Sequence, residues 1–147
     1  MKSIFAKIFS PGTNSLASSL ALLLLRVWIG LEMLLLHGLD KMKHFSEQSA
    51  HFPDPLGVGH STSMALNIFA EVFMSALLVI GLLTRFAALV LAFNMTVAFI
   101  GIHEGALTGA GSGELAFVYL MAYSAILLGG PGGFSFDRGL FGKKLSA

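Results

Sequence analysis

The sequence is poor in charge and has no cysteine. Asp, Glu, Lys and Arg make up 12% of it, about half the share usual in a soluble domain. A chain of 147 residues has much surface for its volume, and so few charges cannot cover it with a polar skin. The composition therefore reads as an integral membrane protein. The missing cysteine excludes disulfides, thiolate nucleophiles, thiol relays and cysteine-ligated zinc or iron–sulfur sites on this chain. Net charge is +1 and no basic stripe is present to meet phosphates, so no nucleic-acid partner is expected. No flavin or nicotinamide fingerprint occurs either, which argues against a self-sufficient redox enzyme.

What the sequence has in quantity is apolar length, with hydrophobic residues at 55%. Four stretches, about 16–39, 64–83, 86–102 and 114–130, approach the ~20 residues that cross a bilayer as helix. The first two are ample, the third is marginal and the fourth is short. Lipid offers no partner to an open backbone, so all four are expected to be helical. The expected fold is an all-α membrane protein: one domain, a four-transmembrane-helix antiparallel bundle with interfacial N- and C-terminal segments. Spans two and three are joined by Gly81 to Arg85, a tight hairpin. The other connections are long: a loop rich in His, Pro and Gly, and the glycine-rich "HEGALTGAGSGE". "GVGHS" and "GSGEL" close them in a way that hints at a two-plus-two repeat.

Lysine and arginine bias gives the orientation. Lys2, Lys7, Arg85, Arg138, Lys143 and Lys144 fall on one side, and Lys41 and Lys43 on the other. Both termini are thus expected in the cytoplasm, and all five histidines at or beyond the outer surface. The start is expected to be an uncleaved anchor, since its apolar run is too long for a signal peptide. Ile4, Phe5, Ile8 and Phe9, and later Phe134, Phe136, Leu140 and Phe141, read as headgroup-layer segments.

Ionisable residues inside the spans are costly and need partners. At about 100° per residue, Arg26, Gly30, Met33 and His37 share a face, and Glu32 lies about 120° away. Asn67, Glu71 and Ser75 form a stripe on span two. Counting depth from the cytoplasmic ends brings Arg26 level with Glu71, so these two are expected to pair, with Asn94 as a third member. The pair reads either as interhelical glue or as a polar pocket for protons, a quinone head or an ion. One arginine cannot neutralise Glu71 and Glu32 together, so one carboxyl is expected in its protonated form. Arg26, Glu71 and Glu32 are the candidate catalytic residues. His37, His103, Glu114, Tyr123 and Asn94 are candidate cofactor contacts, with Tyr119 on the same helix face as Tyr123. Interfacial histidines and tyrosines also serve simply as a belt. His44, His51 and His60 are candidate metal ligands, because imidazole with carboxylate suits zinc, copper or nickel. Their spacing is unlike a compact zinc site, and a solvated loop is the other reading.

The run "LLRVWIGLEMLLLHGLDKMKHF" resembles the opening of the DoxX family, with its arginine, its glycine and a closing His-Gly-x-x-Lys. "AEVFMSALLVIGLLTRFAAL", the outer His103, "GELAFVYL" and "GGPGGFSFDR" fit the same pattern, so the resemblance runs from about Leu24 to Arg138. It implies a four-helix bacterial inner-membrane protein whose recurring polar residues are Arg26, His37, Lys41, Glu71, Arg85, His103, Glu114 and Arg138. His44, His51 and His60 fall outside that pattern. Some relatives belong to quinone-linked oxidoreductase assemblies, and fold alone does not fix activity. Two readings follow. In one, the chain is a membrane subunit that handles quinone or protons beside a soluble or membrane oxidoreductase partner. In the other it is a non-enzymatic accessory, transport or metal-handling protein with an outward His/Glu site, working as a homo-oligomer or with a partner.

Overall fold

The computed structural model describes residues 15–141, and these are helical with no strand among them. The proposed N-terminal interfacial segment lies outside the described residues. Three helices are long and apolar enough to cross a membrane: α1 (Leu16–Lys43), α3 (His60–Ile80) and α4 (Thr84–Ile102). A fourth apolar helix, α5 (Glu114–Gly129), is shorter. Two small helices complete the described fold, α2 (Phe45–Gln48) after α1 and α6 (Phe136–Phe141) in the tail.

Local chemistry sets the ends. Ser15 caps α1 by accepting from the Ser18 amide at 3.1 Å. α3 stops at Gly81, whose φ of +74° takes the left-handed turn that glycine adopts without strain. Leu83 follows at φ +50° and α4 starts at once, so the hairpin is as tight as the sequence predicts. Asp137 then caps α4 from far along the chain. Its two carboxylate oxygens accept from Leu83 N at 2.7 Å and Thr84 N at 2.8 Å, and its own amide donates to Gly81 O at 2.9 Å.

Packing is inverted relative to a soluble protein. Trp28, Leu36 and Leu128 are 71%, 66% and 78% exposed, so the large apolar side chains face outward as lipid solvent requires. The core is narrow. Met33, Met74, Leu78, Leu91, Tyr119, Tyr123 and Ile126 meet there over the small residues Ala87 and Ala88. α4 and α5 form the most extensive helix pair, and α1 lies against α3. The α1–α3 approach depends on Gly38, where a Cβ would come within 2.9 Å of the Glu71 backbone.

Each long helix widens into π geometry once, at Met33–Gly38, Phe69–Met74 and Val97–Ile102. The first two face each other across the α1–α3 contact. Such turns recur at functional sites because they re-aim side chains and loosen the backbone ladder. His37 and Glu71 both sit in them.

Candidate functional site

The structure corrects the expected Arg26–Glu71 pair. Arg26 is buried, but it donates to Pro131 O at 2.9 Å and Phe134 O at 2.6 Å, in the segment after α5. The depth argument treated α1 and α3 as starting level. In fact the first turns of α1 run past the α3–α4 hairpin, beside Gly132 and Gly133, so Arg26 stands at the height of Gly81. Ten residues of helix, roughly 15 Å, separate Gly81 from Glu71. A Cβ on Gly81 would overlap the Arg26 guanidinium, which fixes that level directly. Arg26 is therefore not the partner of Glu71. It ties α1 to the tail.

The partner of Glu71 is Lys41. Its ammonium donates to Oε1 at 2.8 Å and Oε2 at 2.6 Å. α1 continues helically to Lys43, past the expected end at Leu39, and this extra turn carries Lys41 above Gly38. The lysine stem can then reach down along the close α1–α3 contact, burying its methylenes and presenting the charge to Glu71. The Glu71 side chain is 3% exposed and that of Lys41 24%. Lys41 thus supplies the second cation that the charge count lacked. Glu32 lies on the outward side of α1, one turn from Trp28.

α5 brings two tyrosines to this pair. Tyr119 stands edge-on to His37 with ring centroids 5.7 Å apart, and stacks on Tyr123 at 6.0 Å. Both rings are essentially inaccessible. The Tyr119 hydroxyl faces the Glu32 carboxylate without closing a hydrogen bond of ordinary geometry, and Glu71 is its other charged neighbour. The Tyr123 hydroxyl lies beside Ser75 in the same way, and Ser75 Oγ is likewise buried and without a hydrogen bond. Buried hydroxyls are normally satisfied, by protein or by ordered water. Three in one place beside an ion pair mark a polar interior built for more than packing. Its members are Glu32, His37, Lys41, Glu71, Ser75, Tyr119 and Tyr123.

Other expected contacts lie elsewhere. Asn94 pairs with Asn67, whose Nδ2 donates to Asn94 Oδ1 at 3.0 Å, and neither joins Arg26. His103 closes the glycine-rich loop through Nδ1 and Gly111 O at 2.7 Å. Glu114 is exposed in the first turn of α5. The metal expectation does not assemble. His44 Nδ1 meets Asp40 O at 2.9 Å, His60 Nδ1 meets Phe52 O at 2.6 Å, and His51 is exposed. Among the described residues no group of three or more His, Cys, Asp or Glu could hold an ion together. The helix breaks at His44 and the chain turns at residues 49–51, so His44, His51 and His60 share no helical face.

A family model described as DoxX matches residues 21–104, more than half of the sequence. The chain belongs to the DoxX family. This is a family of membrane proteins, and with its apolar helices the chain is a multi-pass membrane protein of the DoxX type. No curated protein and no solved structure matches it. The matched segment holds the Lys41–Glu71 pair and His37, and ends before Tyr119, Tyr123 and Asp137. The DoxX pattern His-Gly-x-x-Lys now has a geometric reading. The glycine lets α1 touch the Glu71 backbone, and the lysine one turn later supplies the counter-charge.

Proposed function

We propose that this DoxX-family chain is an inner-membrane subunit of a bacterial quinone-linked oxidoreductase assembly, and that its Glu71-centred interior moves protons. The observation that carries the proposal is the buried Lys41–Glu71 pair with three unbonded hydroxyls around it. A hydroxyl both donates and accepts, so Tyr119, Tyr123 and Ser75 can pass a proton between an exposed carboxylate, Glu32, and a buried one, Glu71. A wholly structural ion pair would not call for hydroxyls left open beside it. Reduction or oxidation of a quinone takes up or releases protons, and a membrane subunit with such a relay supplies that need. The electron donor or acceptor would be a partner protein.

In this reading α5 is the fourth span, lengthened by the glycine turn that follows it. Both termini are cytoplasmic, in accord with the lysine and arginine bias. The metal-handling alternative has less support, because the outer histidines stand apart.

The test is quinone-dependent electron transfer in membrane vesicles carrying the assembly. Glu71→Gln is expected to lower the rate by about 100-fold or more, the usual scale for losing a proton-transfer group. Tyr123→Phe should give a smaller loss with an altered pH profile. Vesicles that lack the chain yet keep full activity, with a purified chain that carries neither quinone nor redox protein, would sink the proposal.

A further inference from the structure

Glu32 is an ionisable side chain on the lipid side of the bundle. It is exposed, and Trp28, Leu35 and Leu36 around it are each more than half exposed. Its depth follows from its neighbours on the same helix. Arg26 is level with Gly81 at the hairpin end, and Glu32 lies six residues further along, roughly 9 Å. Gly30, between them, packs on Val79 and Ser75 inside α3. α3 has 21 residues and so about matches the ~30 Å hydrocarbon layer, which places Glu32 within that layer.

Ionisable groups at such depth almost always face the bundle interior or a water-filled cavity, and pair there. Glu32 does neither within this chain. Its polar neighbour is the hydroxyl of Tyr119, which brings no charge. The ion pairs among the described residues are Lys41–Glu71 and His44–Asp40. α1 also has room for a neighbour: 22% of its most apolar stretch is buried, against 39% for α3.

A second copy of this chain does not supply the missing charge. Copies inserted in the same sense meet at equal depth, and a two-fold axis sets Glu32 near Glu32. Among the described residues the cations are engaged or lie at other levels. Arg26 is buried on Pro131 and Phe134, and Lys41 is on Glu71. Lys43 ends α1, Arg85 donates to Leu127 O, and Arg138 is in α6. Trp28 indicates which cation fits. It is the only tryptophan of the sequence, one turn from Glu32, with its ring open to the outside. A guanidinium can bond both oxygens of a carboxylate and lay its flat face on an indole, which an ammonium cannot do.

We propose that this face of α1 docks a transmembrane helix of a different protein, one that carries an arginine at the depth of Glu32. The arginine bonds the Glu32 carboxylate and covers the Trp28 ring. That the partner is the redox protein of the assembly rests on the reading above; the docking itself does not.

Trp28 reports on its own surroundings. The purified chain in bilayers of dibrominated phosphatidylcholine should show strong quenching, because bromine quenches an indole on contact. A tryptophan-free leucine–alanine peptide of about 23 residues, long enough to span, with one central arginine, should relieve that quenching saturably. The same peptide with leucine in place of the arginine should require about five- to thirtyfold more, the scale of a polar contact between helices in lipid. Glu32→Gln should bring the arginine peptide down to the leucine level. Glu32→Arg, tested with a peptide bearing glutamate instead, should restore the preference, and circular dichroism checks that each variant is folded. Equal protection by the arginine and leucine peptides, or an unchanged preference in Glu32→Gln, would overturn the proposal. So would quenching of the chain alone that deepens on dilution into lipid and loses this dependence in Glu32→Gln, since a second copy would then be the occupant. Each of these results leaves the Glu71→Gln test of electron transfer as it stands, and failure of that test leaves the peptide result as it stands.

Discussion

Lys41 can leave its ion pair for water, and Glu71 cannot. That asymmetry predicts unequal costs for removing either one. Lys41→Met strands a carboxylate in an apolar interior, for which about 3–5 kcal/mol is expected. Glu71→Gln frees a lysine that is already part-exposed, and about 1 kcal/mol is expected, near the value of an exposed pair. The double variant Lys41→Met with Glu71→Leu should be more stable than Lys41→Met alone. Thermal unfolding in detergent reads all three, and equal losses in the two single variants would contradict the assigned burial. Much of this was legible in the sequence at the level of residue type. Arg26, Glu71, His37 and Tyr123 stand out because charge and hydroxyls are rare in apolar runs. The pairing was not legible. It depends on where α1 begins relative to the hairpin and on one further helical turn that delivers Lys41, and neither leaves a mark in hydrophobic periodicity.

Among the elements, the hairpin between α3 and α4 is held from outside itself. Asp137, itself buried, fills the role that a local serine or aspartate plays at most helix starts. Asp137→Ala should cost about 2 kcal/mol, the upper range for a lost cap, and should increase amide hydrogen exchange at Leu83 and Thr84. The loop of residues 52–59 has a pH dependence of its own. The Ser63 hydroxyl, with the Gly59 and Val58 amides, holds the Asp54 carboxyl below the usual carboxylate range. A depressed value favours the folded loop above the ordinary pKa, and that contribution disappears as pH falls through the lowered one. Protection factors in residues 52–59, corrected for intrinsic amide exchange, should therefore fall below about pH 4. Asp54→Asn should remove the step. Element positions could be read ahead with fair fidelity: the hairpin and α5 fall where apolar length and glycine put them. The π turns could not, because π and α geometry share the same composition. They matter most where they set the facing of His37 and Glu71.

At the scale of the whole molecule, the tail is part of the bundle. Residues 130–137 satisfy Arg26, cap α4 and pack on the first turns of α1. A chain cut after Gly129 loses the two carbonyls that hold the guanidinium, so it should fail to give a monodisperse peak on size-exclusion chromatography. Arg26→Met combined with the same cut should recover part of the folded material, since the unpaired charge is then gone. Composition read the membrane class and the all-helical fold correctly, because lipid leaves few choices to a backbone. The tail's role escaped that reading, because backbone carbonyls are present at every residue and carry no sequence signature.

The Arg26 contacts also order events at the ribosome. Pro131 lies 105 positions and Phe134 108 positions downstream of Arg26. At about 5–20 residues per second, the carbonyls that receive this guanidinium are made some 5–20 s after Arg26 itself joins the chain. Through that interval the first span must wait with its arginine in the translocon, in water or among headgroups, and it can settle at final depth only after residues 131–134 are made. The first span's final placement is thus gated by a segment made more than a hundred residues later.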